Sequence, residues 1–277
     1  MAAGTGTTKW ATAAASTITS RARSPSTCTA RAAATTTIIT TMTMATITRT
    51  FTTTATVTTT SMATSTERLA RLLQLASPAL PVGAFSYSGG LEGAIEAGIV
   101  TDAASTERWI SDVLEHSVAR MEAPILARMM RDPSRIAEWN EVFLASREAA
   151  ELRAESVQMG YSLRRLLADL EVAVPALEET SYPAAYASAV AAWKVEPKAA
   201  LVAYLWAWLE NQVMAAVKAV PLGQTVAQKM LLAMGGRLDA LAAQALAMDD
   251  DALGNFTPGL ALQSSRHETQ YSRLFRS

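Results

Sequence analysis

Residues 199–209 read Ala199-Ala200-Leu201-Val202-Ala203-Tyr204-Leu205-Trp206-Ala207-Trp208-Leu209, and Glu210-Asn211-Gln212 ends the run. Eleven apolar residues fall short of the roughly twenty needed to cross a bilayer. The stretch predicts the central, buried helix of a globular domain, within 197–219. The chain on either side repeats the helical signal, with apolar residues every three or four positions. Leu69, Leu72, Leu73 and Ala76 give a short amphipathic helix that ends before Pro78. A second runs from about Gly90 to Glu96, with Gly98 as its stop. Trp109, Ile110, Val113, Leu114, Val118 and Met121 line one face of a longer helix, with Asp102 or Ser105 as its cap. Asp132-Pro133 reads as a cap followed by proline at the first helical position, before Ile136, Trp139, Phe143 and Leu144. Further helices are expected over about 146–170, from near Pro183, and from about Thr225 to Met248 after the Pro221-Leu222-Gly223-Gln224 break. Period-two alternation is scarce. The assignment is one all-α helical-bundle domain of about nine or ten helices over 67–277.

The N-terminal segment is different material. Residues 1–66 hold 26 Thr and 6 Ser, the bases Lys9, Arg21, Arg23, Arg31 and Arg49, and no acid before Glu67. Few large side chains are available for burial there, so a disordered, low-complexity extension is expected. Its composition matches an organelle transit peptide. The favoured reading is a dispensable extension with Met62 as the effective start. Removing it leaves 19 basic and 25 acidic residues in 67–277, a charge of −6. A body of that sign is unsuited to nucleic acid, which needs clustered Lys and Arg.

Half of the residues are hydrophobic, enough to build a core. The single cysteine, Cys28, lies in the extension, so the body has no thiol for nucleophilic or metal chemistry. Only His116 and His267 are available as imidazole ligands. Several catalytic patterns fail on inspection. His267-Glu268-Thr269-Gln270-Tyr271 starts like the zincin motif but has Tyr271 at the second ligand position. Asp249-Asp250-Asp251 resembles a magnesium-binding aspartate run, although a solvated helix end explains it better. Ser86-Tyr87-Ser88-Gly89 lacks nucleophile-elbow spacing, and no Gly-Lys-Ser/Thr follows Gly83 to Gly93. Glu148, Glu151 and Glu155 share a helical face and read as a solvated acidic row. No metal ligand set, resident cofactor or active site is expected. The competing class is an all-α metal-dependent lyase or hydrolase using Asp249–Asp251 and His267; a generic helical interaction domain is a third.

Three stretches exceed what a plain bundle requires. Residues 77–92 combine Pro78 and Pro81 with glycines, Phe85, Ser86, Tyr87, Ser88 and Glu92, in a connection longer than the topology needs. It is either a loop that plugs the bundle or a recognition surface. Pro221 to Thr225 is a rigid corner suited to capping a helix. The tail, 264–277, mixes Arg266, His267, Glu268, Gln270, Tyr271, Arg273, Leu274, Phe275 and Arg276. Arginine and aromatic side chains of that kind dominate protein interfaces, and partner docking is favoured over disorder.

Leu80-Pro81-Val82-Gly83-Ala84-Phe85-Ser86-Tyr87-Ser88-Gly89-Gly90-Leu91-Glu92, Pro221-Leu222-Gly223-Gln224 and Arg266 to Ser277 closely resemble the UreF family of urease accessory proteins. Arg147-Glu148 and Gly160-Tyr161-Ser162-Leu163 resemble that family's central helix. The likeness covers 67–277 in order and leaves out 1–66. Ser181 to Ala187 departs from it, where family members often carry a histidine and a glycine. The resemblance implies a helical, usually dimeric, cytoplasmic protein without catalysis of its own. It implies as partners UreD (UreH in some species), the GTPase UreG and apo-urease, whose carbamylated-lysine dinuclear centre receives nickel as UreG hydrolyses GTP. Carried over by motif, the tail from Arg266 to Ser277 would dock UreD and the 80–92 loop would order on complex formation.

Overall fold

A computed structural model describes residues 59–277, with side chains from Thr66 onward. Cys28 and residues 1–58 of the Thr-rich segment lie outside the described residues. The helices are α1 (Thr59–Ala76), α2 (Leu91–Glu96), α3 (Ala103–Val113), α4 (Ala123–Arg131), α5 (Ile136–Ala145), α6 (Ala150–Asp169), α7 (Tyr182–Ala192), α8 (Pro197–Ala219), α9 (Gln224–Gly235), α10 (Leu238–Ala247) and α11 (Pro258–His267). A π-helical stretch, Leu114–Glu122, runs on from α3 into α4, so the described residues hold ten separate helices besides the short 3-10 turns. Among the described residues there is no strand, which agrees with the all-α assignment.

The apolar run does form the central helix. Pro197 occupies the first turn of α8, and the Glu196 side chain accepts from the Lys198 and Ala199 N–H groups at 2.9 and 2.6 Å. That arrangement satisfies donors a helix start leaves unpaired. α8 packs against α1, α2, α3, α4, α9 and α10. Tyr204 on α8 lies 5.7 Å from Tyr182 and 5.2 Å from Tyr186 between ring centroids. Burial holds all three phenols above their usual range, so they serve as neutral hydroxyls. No helix among the described residues is long and apolar enough to cross a membrane.

Asp102 caps α3 in a reciprocal box with Ser105, as the sequence suggests. Three features differ from expectation, the first being α11, which takes in residues 264–267 of the expected tail. The final long helix is broken at Gly235-Gly236 into α9 and α10; a Cβ on Gly235 would sit 2.9 Å from the Trp206 ring. The helix expected from about 146 begins at Ala150, because Arg147 turns inward to reach Glu122 at 2.6 Å.

Candidate partner-docking site

Helix α2 is the platform on which the tail is held. It starts at Gly90, whose φ of 79° lies in the left-handed region that glycine tolerates. A Cβ on Gly93 would approach the Gln263 carbonyl oxygen to 2.5 Å. The glycines of the loop therefore let α2 lie directly on the backbone of α11. Leu91 and Ala94 face a second apolar cluster with Val100, Ala215, Ala216 and Val220. Phe275 of the tail fills this cluster and is 6% exposed. Lys218 lies over the rings of both Phe275 and Phe85, at 5.6 and 6.0 Å from their centroids.

Polar contacts fix the tail on this platform. The Glu92 carboxylate accepts from the N–H groups of Leu274 and Phe275 at 2.6 and 2.8 Å. His267 is wholly buried, with Nε2 at 3.0 Å from Glu92 and Nδ1 at 2.7 Å from Glu151. Arg273 donates to the other Glu151 oxygen at 2.7 Å and to the Glu268 carbonyl. The Arg276 N–H donates to the Ser86 carbonyl and the Ser88 N–H to that of Ser277, each at 2.8 Å. The Ser88 hydroxyl donates to the same Ser277 oxygen, and the Ser277 hydroxyl donates to Glu155 at 2.8 Å. Glu268 accepts from the Ala150 N–H at the start of α6, where a negative charge is favourable.

Loop and tail, separated by nearly the whole domain in sequence, thus meet. Of the residues singled out from sequence, Tyr87, Ser88, Glu92, His267 and Phe275 are buried within the chain. Phe85, Tyr271 and Leu274 stand out from it at 67%, 104% and 59% exposure. Arg266, Glu268, Arg273 and Arg276 are exposed, while Ser86 and Gln270 are half-buried.

The acidic row expected over 148–155 requires a correction, since α6 starts only at Ala150. Glu148 is exposed, but the Glu151 side chain is only 13% exposed and Glu155 is half-buried. His267, Arg273 and Ser277 draw both carboxylates inward. Beside them a cavity of about 100 Å³ is lined in part by Glu122, Arg147, Glu155, Tyr182, Tyr204 and Trp208. In its wall Glu122 accepts from Arg147 at 2.6 Å and from the Tyr204 hydroxyl at 3.0 Å. Sequence reading missed Glu122, Arg147, Glu151 and Glu155 as a group. Each partner lies 25 positions or more away along the chain, so no local pattern marked them.

The aspartate run has a structural use. Asp250 pairs with Arg128 at 2.6 Å, and Arg128 also donates to the Pro124 and Met248 carbonyls. Asp249 and Asp251 are exposed. Among the described residues no three His, Cys, Asp or Glu side chains are grouped to hold a metal.

Fold and site together define an all-helical protein that presents a clasped loop and tail, and nothing in the arrangement favours the metal-dependent enzyme. The sequence model of the UreF family matches residues 100–235. The urease accessory protein UreF of Azoarcus sp. (strain BH72) is 56% identical over 223 residues, covering 76% of this chain and 95% of the relative. That of Dechloromonas aromatica (strain RCB) is 53% identical over 223 residues, covering 76% and 98%. That of Methylobacillus flagellatus is 50% identical over 226 residues, covering 77% and 100%. The chain belongs to the UreF family.

Proposed function

We propose that the chain is a non-catalytic adaptor of urease maturation. It works with UreD and the GTPase UreG on apo-urease and helps deliver nickel, as cargo, to the dinuclear centre. The working unit is residues 67–277, with 264–277 as the docking segment, and it acts as a homodimer. In this reading the assembly works in the cytoplasm, and the chain modulates UreG's rate of GTP hydrolysis.

The observation that carries this reading is the clasp. Chain ends ordinarily fray, yet here Phe275, His267 and Ser277 are buried while Tyr271 and Leu274 are held outward. Exposed aromatic and aliphatic anchors beside arginines, on a backbone already fixed, suit a protein partner because little ordering entropy remains to be lost on binding. We assign UreD to Phe85, Tyr271, Leu274 and the surrounding Ser86, Arg266, Glu268, Gln270, Arg273 and Arg276.

Co-purification with UreD tests it. The full chain is expected to retain UreD. Tyr271→Ala with Leu274→Ala, folded by its unchanged thermal midpoint, is expected to lose it. Full-strength binding by that variant would sink the assignment of UreD to the tail.

A further inference from the structure

We infer that Glu92 and His267 are positioning residues, which set the shape of the docking surface from inside the protein without touching the partner. The inference uses the docking role proposed above only for its consequence; the clasp can be tested in the chain alone.

Glu92 is 9% exposed and sits in the first turn of α2. One oxygen takes the Leu274 N–H at 2.6 Å; the other takes the Phe275 N–H at 2.8 Å and His267 Nε2 at 3.0 Å. Two consecutive amides on one carboxylate anchor the tail backbone, and Phe275 in its apolar cluster with Arg273 on Glu151 sets the register. In that register Phe275 enters the pocket of Leu91, Ala94 and Val220, and Leu274 must face away. A slip of one residue would bury Leu274 or Arg276 in place of Phe275.

His267 holds that carboxylate in turn. It is the last residue of α11 and is wholly buried. Carboxylate oxygens of Glu92 from α2 and Glu151 from α6 lie within hydrogen-bond reach of its two ring nitrogens. Arg273, on the second Glu151 oxygen, ties the exposed turn carrying Tyr271 to the same network. The ring thus meets Glu92 and Glu151 directly and Arg273 through Glu151. Side chain by side chain, the network runs from α2 through α11 to α6 and back to the tail.

Amide hydrogen exchange on the full chain, free of partner, tests the clasp. Glu92→Ala is expected to speed exchange at Leu274 and Phe275 by about tenfold or more, the effect of losing hydrogen bonds to a charged acceptor. Exchange at Leu205 and Leu209 of α8 should not change. Glu92→Gln keeps one acceptor oxygen, so it should restore protection at one of the two amides. His267→Gln should loosen both in part. A merely structural carboxylate would not give that split. Unchanged exchange at both amides in Glu92→Ala would overturn the inference. Equal acceleration in tail and core by both Glu92 variants would overturn it as well.

UreD binding is then measured on the same variants. Glu92→Ala keeps Tyr271 and Leu274 but should bind about tenfold more weakly, for want of a fixed surface. Loosened amides with unchanged UreD affinity would overturn the positioning role. If the unaltered chain failed to bind UreD, the docking reading would fall while the exchange data still judged the clasp.

Discussion

Arg147 and Glu122 meet at 2.6 Å with 7% and 12% of their side chains exposed, joining the turn before α6 to the last residue of the π-helical stretch. The guanidinium also lies 4.4 Å from the centroid of the Phe143 ring, and the Tyr204 hydroxyl donates to the free Glu122 oxygen. Arg147→Met strands a buried carboxylate and should cost about 3 kcal/mol or more of stability. Adding Glu122→Gln should recover much of that loss, because no unpaired charge remains. Denaturant unfolding of the two variants checks it.

Glu155 gives the protein a pH-dependent stability. Burial raises its carboxyl from 4.5 to about 7, with the Glu122 charge adding and the Ser277 hydrogen bond opposing. Between those values the folded chain keeps a proton that the unfolded chain releases. Its contribution therefore falls as pH rises from 4.5 to about 7 and is level above that. The fall amounts to at most about 3 kcal/mol. Glu155→Gln should flatten this segment, read from urea midpoints at about pH 5 and about pH 8.

Gly160 should tolerate no side chain. A Cβ there would lie 2.0 Å from the Thr180 carbonyl oxygen and 2.5 Å from the Ser181 carbonyl carbon. Both are backbone, and Asn140 pins that segment by donating to Glu179 and accepting from the Ser181 N–H. Gly160→Ala should lower stability by about 3 kcal/mol or more, at the upper end of overpacking costs. A thermal melt showing no loss would contradict the contact.

Much of the fold was legible because its signals are local. Asp102, Pro78 and the run from Ala199 to Leu209 each act on neighbours within a turn or two, and the helices start and stop where those residues require. The π-helical stretch has no such mark, since Leu114 to Glu122 keeps an ordinary apolar face. The site was half legible. Its two segments stood out by composition, but their meeting depends on pairs such as Arg273 with Glu151, 122 positions apart. For the same reason the row Glu148, Glu151, Glu155 reads as solvated when only its own helix is considered.

The aspartate run separates adaptor from enzyme. Asp250→Asn removes the charge facing the buried Arg128 guanidinium, which keeps its two carbonyl acceptors. A stability loss of about 1–2 kcal/mol is expected. Urease activation by the variant should be unchanged at a temperature where it is folded. Abolished activation in a folded variant would favour chemistry at Asp249–Asp251.

The most direct measurement is urease activation in a cell that lacks its own UreF, followed by enzyme activity and the nickel content of the purified urease. The full chain should restore both. Tyr271→Ala with Leu274→Ala, made to the same soluble level, should leave urease largely without nickel. Failure of the soluble, folded full chain to restore either quantity would contradict the account.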